Sequence, residues 1–152
     1  MSKVRTFKPE NRLARALNDP SGMLFAHALE RAESNLEKVR PAHEAALERK
    51  LNALRELAPF AHANAEQRAA LYRLAQDVLA DAGGLGEGEL SRAALSLCDL
   101  LGSVVGGERL KLSVAVHLEA IAALRASKGP QEKAQREAIL AGLVRISGKA
   151  EA

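Results

Sequence analysis

The chain has 152 residues, 47% of them hydrophobic and 27% charged, a balance that suits one globular domain and excludes a disordered polar chain. Three Phe, one Tyr and no Trp leave little material for strands, while the abundant Ala and Leu are strong helix formers, so the expected fold class is all-α. The single cysteine, Cys98, excludes an internal disulfide framework and fits a reducing compartment. No apolar run approaches the roughly 20 residues that cross a bilayer. The start, Met1-Ser2-Lys3-Val4-Arg5, has no apolar core behind it, which predicts a cytoplasmic protein with no membrane contact.

The net charge of +3 is concentrated at the N-terminus. Lys3, Arg5, Lys8, Arg12 and Arg15 face only Glu10 and Asp19 there, and beyond residue 20 the two signs balance. Residues 1–22 read as a basic arm with at most one short helix, around Asn11 to Leu17, ended by the turn cluster Asp19-Pro20-Ser21-Gly22. The arm has one aromatic, Phe7, among its five cations, so it argues weakly for nucleic acid and better for a solvated tail or docking peptide.

Residues 23–147 read as a single helical domain. Over 24–58, Leu29, Ala32, Leu36, Val39, Leu47, Leu51 and Leu54 recur at helix spacing, with Glu30, Glu33, Glu37, Lys38, Glu44, Glu48 and Arg49 on the other face. Pro41 removes a backbone hydrogen bond, so one long kinked helix, or two helices meeting near residue 40, is expected. Asn64 followed by Gln67 is a capping-box start for a helix to about Ala82. Gly83-Gly84-Leu85-Gly86-Glu87-Gly88 then forms a tight connection. Further helices are expected over about 89–105, 110–127 and 130–146, with residues 148–152 as a frayed tail. Four such helices over 64–147, joined by short connections, predict an antiparallel four-helix bundle preceded by the long helix. That helix is read as a lid or a homodimerisation surface over 24–58, with packing against its own bundle as the alternative.

From residue 75 the sequence runs Ala75-Gln76-Asp77-Val78-Leu79-Ala80-Asp81-Ala82-Gly83-Gly84-Leu85-Gly86, then Leu90, Ala94, Leu97 and Asp99. This resembles the signature segment of histidine phosphotransfer domains, roughly Ala-His-x-Leu-Lys-Gly-x-Ala-x-x-Leu-Gly followed by a helix with Leu, Ala and Leu inward. The scaffold positions Ala75, Ala82, Leu85, Gly86, Leu90, Ala94 and Leu97 coincide without a gap. The chemical positions do not. Gln76 stands where the family has its phosphoryl-accepting histidine, Leu79 where it has a lysine that neutralises phosphoryl oxygens, and Ala80 where it has a glycine that lets a receiver approach. The resemblance implies a degenerate, Hpt-like domain with an intact scaffold and no phosphoryl chemistry. Phe7 to Ala14, Ser96 to Leu101 and Val114 to Leu118 also resemble proteins labelled CheE in bacterial chemotaxis clusters, which implies a setting beside response regulators and histidine kinases.

The resemblance makes the chain a binding protein and not an enzyme, with a response-regulator receiver domain or a histidine kinase as partner and no cofactor. Arg68, Arg73, Gln76, Asp77 and Ala80 are the expected exposed partner face. His117 shares a stripe with Leu110, Val114, Ile121 and Leu124, the ordinary setting of a packed histidine. As an alternative phosphoryl acceptor it lacks the family context, because Ala120 and Ile121 stand where Lys and Gly belong. No His, Cys and carboxylate cluster has metal-ligand spacing. Cys98, among Leu95, Leu97 and Leu101, reads as a small buried hydrophobe. The glycine segment follows a helix and lacks the Gly-Lys-Ser/Thr ending of a phosphate loop. Three competing readings remain: an active phosphotransfer protein using His117, a homodimeric helical scaffold unrelated to receivers, and a nucleic-acid binder using the basic arm.

Overall fold

The computed structural model describes residues 25–61, 64–103, 106–127, 129 and 132–148. Five α-helices follow in order: α1 (Phe25–Leu57), α2 (Ala65–Gly84), α3 (Gly88–Gly102), α4 (Gly107–Ala126) and α5 (Lys133–Gly148). A 3₁₀ turn, Ala58–Phe60, follows α1, and no strand occurs among the described residues. The expected short helix at 11–17, the turn at 19–22, Pro130 and the last four residues lie outside those described. The chain divides into two compact units, Met1–Val39 and Arg40–Ala152.

Of the first unit, residues 25–39 are described, and they form the start of α1. The helix runs unbroken through Pro41. Leu29, Leu36 and Val39 are exposed here.

In the second unit, α3 is the common neighbour: α2, α4 and α5 each pack against it, and α5 also packs on α4. Its inner positions Leu90, Ala93, Ala94, Leu97, Cys98, Leu100 and Leu101 are all buried. So broad an apolar face is what a helix needs when it is covered on several sides. Leu47, Leu51 and Leu54, the C-terminal half of α1, join the same core at no more than 2% exposure. Two ion pairs fix that half of α1. Lys50 Nζ lies 2.6 Å from Asp81 on α2, and Arg125 Nε on α4 lies 2.8 Å from Glu48. Arg125 also bonds Glu87. Burial works against its charge, but the hydrogen bonds and charges of Glu48 and Glu87 outweigh that and raise its pKa.

The helix ends follow local chemistry. Asn64 is extended and its side chain accepts from Gln67 N–H at 2.8 Å, the N-cap expected of that pair. The reciprocal half of the box is missing, and Gln67 Oε1 is buried with no partner. At the other end of α2, Gly83 and Gly84 stay helical, beyond the expected end at Ala82. Gly86 N–H bonds the Gly83 carbonyl and Glu87 N–H bonds that of Ala82, the two bonds of a Schellman cap. Gly86, at φ 77°, supplies its left-handed residue. The tail expectation also shifts, because α5 continues through Ser147 and Gly148.

Candidate functional site

The buried positions of α2 are Leu71, Ala75, Val78 and Ala82. At about 100° per residue, Arg73, Gln76, Asp77 and Ala80 fall on the opposite side, related by three, four and seven residues. All four are exposed. Leu79 is only partly buried and packs against the core, so no cation stands one turn beyond Gln76 on that side. The outer face of α2 therefore presents one guanidinium, one amide, one carboxylate and a small methyl-sized position. The carboxamide of Gln76 can donate and accept hydrogen bonds. Its nitrogen lone pair is delocalised into the carbonyl and is no nucleophile.

Arg68 departs from this group. It lies on the flank of α2, half-buried, and its guanidinium is spent on the C-terminus of α3. Nε donates to the Leu101 carbonyl at 2.6 Å, and Nη2 donates to the carbonyls of Leu100, at 3.5 Å, and Ser103. The last turn of a helix has carbonyls without intrahelical donors, and a cation there also meets the negative end of the dipole. The expectation of an exposed Arg68 is corrected on this ground: it ties α2 to α3.

His117 has no exposed surface. Its Nδ1 lies 2.7 Å from the Ser113 carbonyl, which can only accept, so Nδ1 carries the proton. Nε2 therefore accepts from Ser96 Oγ at 3.0 Å. Ser96 Oγ in turn accepts from Ser147 Oγ at 2.6 Å. The chain of bonds runs from α5 through α3 to α4 and satisfies every polar atom of the ring. Burial lowers the His117 pKa, with the Ser113 bond working the other way. A serine bonded to a neutral imidazole has the first two parts of a nucleophilic triad. Here Ser96 is itself buried and sits within a helix whose N–H groups are used internally, so among the described residues no donors converge on a developing oxyanion. The arrangement is a polar joint between three helices.

Cys98 is buried, and burial first, then Asp99, pushes its thiol up to about 11, so it is a neutral packing group at pH 7. Among the described residues no three His, Cys, Asp or Glu side chains converge to hold a metal, and no helix is long and apolar enough to cross a membrane. A concavity of about 540 Å³ lies beside the turn before α3, lined in part by Glu87, Glu89, Arg92, Ser127 and Arg136. It includes none of the α2 outer face. The Ser96–His117–Ser147 joint and the role of Arg68 were not foreseen from sequence. Their partners lie 21 to 51 residues apart, and only the register between helices joins them. No family model matches the chain, and no curated protein or solved structure matches it.

Proposed function

We propose that the chain is a non-enzymatic binding module, a pseudo-histidine-phosphotransfer protein that docks receiver domains of response regulators, or their histidine kinases, without accepting phosphate. The observation that carries this reading is the outer face of α2. Gln76 stands exposed with Arg73, Asp77 and Ala80 around it, on the side of the helix away from the core. An exposed amide at the position matching the family's histidine keeps the hydrogen-bonding shape of a docking face and lacks the nucleophile. On this reading α2 to α5 form the antiparallel four-helix bundle of that family, α1 bends at Pro41, and the protein works in the cytoplasm in chemotaxis or a related two-component circuit. The degenerate site is Gln76, Leu79 and Ala80, and the partner contacts are Arg73, Gln76, Asp77 and Ala80.

The alternative acceptor, His117, has less support. Its ring is closed to solvent and its one unprotonated nitrogen already accepts from Ser96, so a phosphoryl donor would first have to part α3 from α4.

The test is a titration of the full chain against a panel of purified receiver domains, with the interface mapped by amide chemical shifts. Binding should perturb residues 73–80, and Ala80→Arg, which adds a long cation to the face without touching the core, should weaken it at least about tenfold, or 1.4 kcal/mol. Binding to no receiver, or binding indifferent to Ala80→Arg, would contradict the proposal.

A further inference from the structure

The N-terminal half of α1 carries an apolar stripe that stands in water. Leu29, Leu36 and Val39 are 48%, 62% and 47% exposed, with exposed Ala32 between them. The four positions follow one another at steps of three, four and three residues, the a/d spacing of a coiled-coil seam. Further along the same helix, Leu47, Leu51 and Leu54 step by four and three and are buried in the core of their own unit. One apolar stripe on one helix is thus covered in its second half and exposed in its first.

We infer that the exposed half is a self-association seam, and that it pairs antiparallel with the same segment of a second copy. With Leu29 and Leu36 at a and Ala32 and Val39 at d, the flanking e positions are Glu33 and Arg40 and the flanking g positions are Ala28 and Asn35. In an antiparallel pair, e faces e and g faces g. Setting Leu29 against Val39 of the second copy puts Ala32 against its Leu36, so a small residue meets a large one in the central layers. In that register Glu33 is five residues out of step with Arg40 of the second copy. Because side chains lean toward the helix N-terminus, the two reach toward each other, and the symmetry makes the contact twice. A parallel pair instead sets Glu33 beside Ala28 and Arg40 beside Asn35, with no charge match. Pro41 falls on the outermost position, so its ring stays out of the seam.

Charge also separates this occupant from others. Glu30, Glu33 and Glu37 balance Arg31, Lys38 and Arg40 along the segment. A balanced strip has no bias toward an anionic lipid surface or nucleic acid, both of which call for clustered cations. It suits pairing with itself. This inference is independent of what the outer face of α2 binds.

Sedimentation of the full chain should show a concentration-dependent monomer–dimer equilibrium. Leu36→Glu should remove the dimer while leaving the helical circular dichroism of the chain in place. Glu33→Arg should weaken dimerisation about tenfold, as two exposed ion pairs become like-charge contacts, and Glu33→Arg with Arg40→Glu should restore it. In a Cys98→Ala background, Asn35→Cys should oxidise to a disulfide-linked dimer, because position 35 meets its own copy beside the symmetry axis. Leu29→Cys, whose copies sit at opposite ends, should not. A chain monomeric at every concentration would overturn the inference, as would a dimer indifferent to the Glu33 and Arg40 exchange, or one cross-linked through Leu29→Cys and not through Asn35→Cys.

Discussion

His117 places an ionisable ring where water does not reach, and this makes stability depend on pH. Burial holds its pKa below the usual histidine value of 6.5. Below pH 6.5 the unfolded chain therefore takes up a proton that the folded ring refuses. Stability should fall as pH drops through 6.5, with a slope approaching about 1.4 kcal/mol per pH unit until the folded ring itself titrates. His117→Gln keeps a donor and an acceptor near Ser113 and Ser96 but has no proton to gain. Urea unfolding of both proteins between pH 7 and pH 5 should show a steeper loss for the native chain; parallel curves would mean that His117 is not buried as described. Arg68 makes a second prediction at this scale. Arg68→Ala should cost about 1–3 kcal/mol, because it removes the guanidinium donor to the Leu101 and Ser103 carbonyls at the end of α3. A surface arginine would cost almost nothing.

Helix ends show where local sequence was sufficient and where it was not. Asn64→Ala should destabilise by about 1 kcal/mol through loss of the N-cap bond to Gln67 N–H. Gly86→Ala should cost about the same, since φ 77° is strained for any side chain. Thermal unfolding reads both. The five helices were legible because Leu and Ala recur at helical spacing and because Asn64 and the glycine segments mark ends. The expected stop of α2, at Ala82, falls short of the observed one at Gly84, because three glycines in a row of four look like one long break. A Schellman cap needs only one left-handed residue, and Gly86 alone supplies it. Ser147 reads as lying beside a frayed end, yet its hydroxyl bonds Ser96 and α5 continues past it. Nothing near Ser147 in sequence announces a partner 51 residues away. The exposure of Arg73, Gln76, Asp77 and Ala80 was legible because Leu71, Ala75, Val78 and Ala82 mark the opposite side of the helix. Arg68 was not, since its partners belong to another helix.

At the largest scale, the central position of α3 within the second unit sets the energetic hierarchy there. Leu97, with no exposed surface, sits in the middle of that helix and its core. Leu97→Ala should cost about 2–5 kcal/mol, against less than 0.5 kcal/mol for Ala80→Arg on the outer face of α2. On the proposed docking role that difference matters, because the α2 outer face can then be altered at little cost to stability. If the proposed seam on α1 and the proposed docking face on α2 act independently, Leu36→Glu should remove self-association and leave any receiver binding intact.

The most direct measurement is to mix the purified chain with receiver domains carrying labelled phosphoryl groups and to follow co-elution and label together. The predicted result is co-elution with at least one receiver, weakened by Ala80→Arg, with all label remaining on the receiver or released to water. Acid-labile phosphate on the chain, lost in His117→Gln, would contradict a binding role without phosphoryl transfer. Absence of both co-elution and label would remove receiver domains as the partner.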